Sequence, residues 1–209
     1  MPHQPVKPLL GPAPAPPSGW PAEPLAELVT WFPWVPQAKP QPKPDDEPAA
    51  EPAVPPCGLG GLEFAFFDLL RRDPRQRRKT MVCEERLTAL ARVRATDLLV
   101  RNYVSHVNPD GYGPNYLARQ AGIKLPDNYG RGDKDNQIES LAAGTLDPVY
   151  LLELFYNSSA HRTHLWGLNS FFAGQTLAGV GYARLDILPD PTGPYHDAWC
   201  ILTLHPGSD

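Results

Sequence analysis

Between Glu84 and Asn102 the sequence EERLTALARVRATDLLVRN sets Leu87, Leu90, Ala91, Ala95 and Leu98 at helical spacing among charged residues, and predicts an amphipathic helix. Its acidic start and the arginine near its end suit the helix dipole. GLEFAFFDLLRR predicts a shorter helix that buries either Phe64, Phe67 and Leu70 or Leu62, Phe66 and Leu69, and that ends at Asp73-Pro74. NYLARQAG reads as a short helix stopped by Gly122. Asp147-Pro148 reads as an N-cap and first-turn proline opening the helix DPVYLLELFYNSS. Later the period changes: LAGVGYARLDIL and AWCILTLHP read as two strands joined by the turn PDPTGPYHD. Three or four helices against a small sheet is an α+β layer arrangement, not a chain of βαβ units.

Residues 1–56 do not fit this pattern. They hold most of the chain's 27 prolines, in runs such as PQAKPQPKPDDEPAAEPAVPP, and predict an extended polyproline-like arm without its own core. Residues 57–209 form the folded domain. The arm carries three lysines against six acids, so -3 of the net charge of -4 lies there. Within it, LAELVTWFPWV (25–35) brings Trp31, Phe32 and Trp34 together, with Trp20 nearby. Such aromatics gain free energy only by docking on a surface, so the four are the expected partner-binding residues, either on the chain's own domain or on a protein partner or larger assembly.

The weak net charge gives no basic field for nucleic acid. RQRRK (75–79) is the one basic cluster and reads as a solvated connection, because no stacking aromatics interleave it. Arg131-Gly132-Asp133 lies in a Gly/Asp-rich loop that produces this triplet easily. No apolar run is long enough to span a bilayer, and the first residues lack the pattern of a secretion signal. Three cysteines are too few for a disulfide-built scaffold, and read either as one disulfide with a spare thiol or as three small buried hydrophobes. Cys83 at a helix start and Cys200 on the last strand are the expected pair, with Cys57 the competitor.

The motifs YVSH, DGYGPN, NQIESLAAG, NSSAHRTHL and GVGYA, followed by an aromatic C-terminal strand, come in an order that resembles the CAP superfamily. This superfamily, also called SCP-like, comprises cysteine-rich secretory, antigen 5 and pathogenesis-related 1 proteins. The resemblance covers about residues 62–206 and is closest to the bacterial branch. It implies a three-layer α-β-α sandwich with a central cleft, an extracellular, cell-surface or particle-associated setting, and a lipid or sterol as one class of ligand. Carried over by position, it implies cleft residues His106, Glu139 and His161, with Ser158 and Asn136 beside them. Phe155 and Ser158 stand where many eukaryotic members have a tryptophan and a second glutamate, so the acidic set is reduced.

Two neutral imidazoles and a carboxylate from three segments suit a divalent ion, zinc first, with one position open to water. The alternative is that the three side chains hydrogen-bond one another and pin the cleft. His164 reads as a helix-end or surface residue. Gly111 and Gly113 supply turn conformations that bend the chain beyond His106. The sequence holds neither an HExxH pair nor a GxSxG elbow, and Ser158 and Ser159 beside His161 show no third group to orient the imidazole. Glu153 reads as the solvated face of its helix. Binding is therefore favoured over catalysis: an extracytoplasmic module tied by its arm to a partner, the alternative being a metal-dependent hydrolase acting on a cell-surface polymer or peptide.

Overall fold

The computed structural model describes residues 56–187 and 193–207. The chain divides into two units, Met1–Ala50 and Glu51–Asp209, and every described residue belongs to the second. Trp20, Trp31, Phe32 and Trp34 lie outside the described residues.

After a 3₁₀ turn at Pro56–Gly58 come α1 (Gly61–Arg72), β1 (Val82–Cys83), α2 (Glu85–Val100) and α3 (Pro114–Gln120). A second 3₁₀ turn, Asp127–Tyr129, precedes β2 (Glu139–Ala143), α4 (Pro148–Asn157), α5 (Ser159–Leu165), α6 (Ser170–Ala173), β3 (Leu177–Arg184) and β4 (Asp197–Leu204). The strands form one sheet in the order β1-β3-β4-β2, parallel at β1/β3 and antiparallel elsewhere. The helix starts follow local chemistry. The Glu84 carboxylate accepts the Leu87 N–H at 2.6 Å at the start of α2, and Asp147 accepts the Val149 and Tyr150 N–H groups in front of Pro148. No helix among the described residues is long and apolar enough to cross a membrane.

β4 alternates between two cores, as a strand covered on both faces must. Trp199 and Ile201 join Phe66, Leu70, Leu151, Phe155, Leu165 and Trp166 from α1, α4 and the α5 end. Ala198, Cys200, Leu202 and Leu204 join Leu87, Ala91, Ala95 and Leu98 of α2. The result is an α-β-α sandwich. β3 has glycines where it faces α2: a Cβ on Gly179 would lie 2.2 Å from the Leu87 carbonyl carbon, and one on Gly181 2.2 Å from that of Ala91. The motif GVGYA thus lets helix backbone rest on strand backbone. On α1 the buried face is Phe66, Phe67 and Leu70, falling between the two expected phases. Glu63 on that helix accepts from the Gly60 and Tyr182 N–H groups and pairs with Arg92 of α2.

Several expectations are corrected. The disulfide joins Cys57 to Cys83, with a Cα–Cα distance of 6.0 Å, and Cys200 is a buried free thiol. Cys83 pairs in register with Ala178, and Ala178 with Thr203, so Cys83 and Cys200 stand two strands apart and three residues out of line. That separation exceeds what a disulfide spans. RQRRK is a solvated connection only in part: Arg77 and Lys79 are exposed, but Arg78 is 5% exposed, and its guanidinium donates to the carbonyls of His164, Leu165 and Gln175. Burial pulls its pKa down to about 10. Arg75 stacks 3.8 Å from the Tyr156 ring centroid and pairs with Asp73 and, at 2.6 Å, with Glu153, which is exposed on its helix as expected. Beyond the expected elements, β1, β2, α5 and α6 are formed as well.

Candidate functional site

His106 lies in the segment following α2, six residues past the end of that helix. Its backbone is fixed from within the fold: Nη2 of Arg94 donates to the carbonyls of Ser105 at 3.1 Å and His106 at 3.2 Å. The turn beyond is built on Asn108, whose Oδ1 accepts the Asp110 and Tyr112 N–H groups. Gly111 at φ 91° meets the expected conformational demand. Gly113 answers a different one. Its φ is -89°, and a Cβ there would lie 2.6 Å from the Lys134 carbonyl carbon.

Glu139 opens β2 and its side chain is fully buried. Asn136 places it: Oδ1 of Asn136 accepts the Glu139 N–H at 2.9 Å, and Nδ2 donates to the Glu139 carbonyl at 3.2 Å. The carboxylate meets Arg94, with Nε 2.8 Å from Oε2 and Nη2 3.2 Å from Oε1. His106 Nδ1 lies 3.0 Å from Oε1, and Cys200 Sγ lies 3.5 Å from Oε2. A carboxylate only accepts from an imidazole N–H, so Nδ1 of His106 carries the hydrogen and, in the neutral ring, Nε2 carries the lone pair. Burial opposes the charge of Arg94, yet the Glu139 carboxylate holds its pKa above the usual value. Burial likewise pushes the Cys200 thiol pKa well up, and Glu139 adds to that, so Cys200 is a weak source of thiolate.

His161 lies on α5, edge-on to Phe155 at 5.0 Å. Burial, and then the charge of His106, lower its pKa. His106, Asn136, Glu139 and His161 all line one cleft of about 420 Å³, together with Ser140, Ser159, His164 and Phe172. The cleft wall takes Ser159; Ser158 sits at the junction of α4 and α5. A separate cavity of about 340 Å³, lined by Leu98, Leu99, Tyr103, Val104 and Tyr195, lies away from these histidines.

His164 does stand in the last turn of α5, as expected of a helix-end residue, but it is not a surface group: it is 5% exposed and lines the cleft. Ser140 Oγ lies 2.7 Å from its Nδ1 and Thr203 Oγ1 lies 2.6 Å from its Nε2. Thr203 spends its hydrogen on Gln175 Oε1 at 2.5 Å, so His164 Nε2 must donate to Thr203 and Nδ1 must accept the Ser140 hydroxyl hydrogen. Gln175 Nε2 in turn donates to Tyr129 Oη and the Gln137 carbonyl. Burial and then the Arg78 guanidinium hold the His164 pKa well below the ordinary value. Nothing local in HRTHL distinguishes His164 from an exposed helical histidine. The only sequence signal is its i+3 spacing from His161, which sets both on one side of α5.

No known family model matches this chain, and no curated protein does. Among solved structures it is similar to an extracellular protein of Bacillus anthracis that contains an SCP domain. That match has 19% identity and a TM-score of 0.52, and covers 69% of this chain and 40% of the Bacillus chain. An outer surface protein of Borrelia burgdorferi matches at 16% identity and a TM-score of 0.47, over 69% of this chain and 91% of its own. Helices on both faces of the four-stranded sheet, together with the similarity to the Bacillus protein, give the described part of this chain the SCP-domain fold, an α-β-α sandwich.

Proposed function

We propose that this chain is an extracytoplasmic binding module whose polar cleft takes its ligand through the imidazoles of His106 and His161. The observation that carries the reading is the His106 Nδ1 to Glu139 Oε1 contact at 3.0 Å, which turns the Nε2 lone pair of His106 away from the carboxylate. An extracytoplasmic setting is supported by the Cys57–Cys83 disulfide and by the description of the Bacillus protein as extracellular.

The divalent ion implied by the resemblance fits only part of the donor set. Glu139 gives both oxygens to Arg94, His106 and Cys200, and among the described residues no three His, Cys, Asp or Glu side chains gather as a cage. A zinc ion would be held by His106 and His161, with Glu139 behind His106 as the group that orients the ring. Such an ion supplies Lewis acidity and an acidified water. Because the His161 pKa is lowered, protons compete for that ring only at acidic pH.

Zinc calorimetry at pH 7.5 on the wild type and on a His106→Ala, His161→Ala double variant, both checked for folding, tests the reading. Stoichiometric binding lost in the double variant is the expected result; equal binding by both removes the cleft as the site. The arm carries the second half of the proposal. Its isolated aromatic patch supports docking on a protein partner or assembly, so deleting residues 1–56 abolishes incorporation while leaving zinc binding intact.

A further inference from the structure

The cleft holds a second arrangement, independent of any metal, in which a serine hydroxyl, an imidazole and an orienting group stand in line. The hydrogen inventory fixes its direction. Gln175 takes the Thr203 hydrogen, Thr203 takes the His164 Nε2–H, and the bare Nδ1 faces Ser140 Oγ at 2.7 Å. The serine is left hydrogen-bonded to a base whose tautomer is locked.

We propose that Ser140 is a nucleophile, with His164 Nδ1 as its base and Thr203 as a positioning residue, making the cleft floor a metal-independent acyl-transfer site for small carboxylic esters. The inference rests on the cleft being the ligand site. A volume of about 420 Å³ admits a short acyl ester, and Ile138 and Phe172 supply apolar wall beside the polar residues.

The step balances within the protein. Ser140 Oγ bonds to the ester carbonyl carbon while its proton moves to His164 Nδ1. The bond from that carbon to the alcohol oxygen then breaks, and the departing oxygen takes the proton from Nδ1. Water repeats the sequence on the acyl-serine, releasing the carboxylic acid and returning the proton to Oγ.

Arg78 donates to the His164 carbonyl at 2.7 Å, so a positive charge stands close to the ring. It makes the transient imidazolium costly, and turnover is accordingly slow. The same cause keeps the base unprotonated in mild acid, which gives the site a signature an ordinary surface serine lacks.

A fluorophosphonate probe on the full chain, with chelator present, tests the proposal by peptide mapping. One adduct at Ser140 is expected, absent in Ser140→Ala and formed at least tenfold more slowly in Thr203→Val, with both variants checked for folding. The labelling rate is expected to stay flat from pH 8 to below about 6.5, the usual histidine value. No adduct at Ser140 in folded wild type, a rate that halves near pH 6.5, or an unchanged rate in Thr203→Val overturns it. Loss of the adduct with chelator overturns the metal-independent step. Failure of zinc calorimetry leaves these outcomes unaffected, so the two readings fail separately.

Discussion

Arg94 Nε lies 2.8 Å from Glu139 Oε2, and both side chains are almost entirely withdrawn from water, at 3% and 0% exposed. The pair joins α2 to β2, and its remaining contacts hold the His106 ring and backbone, so one ion pair sets the cleft's geometry.

Removing one member of such a pair strands the other. Glu139→Ala should cost about 3–5 kcal/mol by leaving the Arg94 charge buried. Replacing both residues with apolar side chains of similar volume should cost much less. Urea unfolding of the two variants distinguishes the penalty of a stranded charge from the net value of the pair. An equal loss in both would show that packing, and not charge, dominates.

The glycines of β3 make a prediction of opposite sign to a glycine elsewhere. Gly181→Ala sets a methyl group 2.2 Å from the Ala91 carbonyl carbon, and neither backbone can yield without opening the α2 interface. A loss of about 1–3 kcal/mol, or more if the layer cannot shift, is expected. Gly61, in the first turn of α1, has nothing within 4 Å of a built Cβ, so Gly61→Ala should be neutral or stabilising by up to about 1 kcal/mol. Thermal melts of both variants check the contrast.

The sandwich was legible because its longer helices and the two long strands declare themselves by period, and because the motif order carries the resemblance. β2 was not, since ESLAA has no β-branched residue and is a strand by virtue of pairing with β4 from Glu139↔Leu202 to Ala143↔Ala198. His106, Glu139 and His161 could be named from their motifs, but what each does could not. Arg94 lies in a helix rich in charge, and only the arrival of Glu139 from 45 residues away marks it as buried. His164 is hidden for the same reason: its partners Ser140 and Thr203 come from two different strands.

The disulfide pairing yields a direct chemical test. With Cys57 and Cys83 joined and Cys200 buried, native protein should resist alkylation, and denatured unreduced protein should expose a single thiol that maps to Cys200. A thiol mapping to Cys57 would restore the rejected Cys83–Cys200 pair. The bridge closes a sequence separation of 26 residues, so Cys57→Ser should lower stability by about 3.5 kcal/mol on the chain-entropy model. Reduction of the wild type should produce a loss of the same size.

Acid stability follows from His164. Its native pKa is held well below the unfolded value, so the unfolded chain binds a proton that the native state refuses. The sign is therefore fixed: stability is intact above the unfolded pKa of about 6.5, and falls as pH drops through that value until the native pKa is reached. The steepest slope is about 1.4 kcal/mol per pH unit for one such group. His161, also lowered, adds to the loss in the same direction. His164→Gln offers a neutral side chain that can still hydrogen-bond in place of the imidazole. It should be less stable than wild type at pH 8 and should show a shallower fall between pH 6.5 and 5. Parallel denaturant titrations at several pH values read the difference. Identical slopes in the two proteins would mean that His164 takes up its proton without opening the Ser140 and Thr203 contacts.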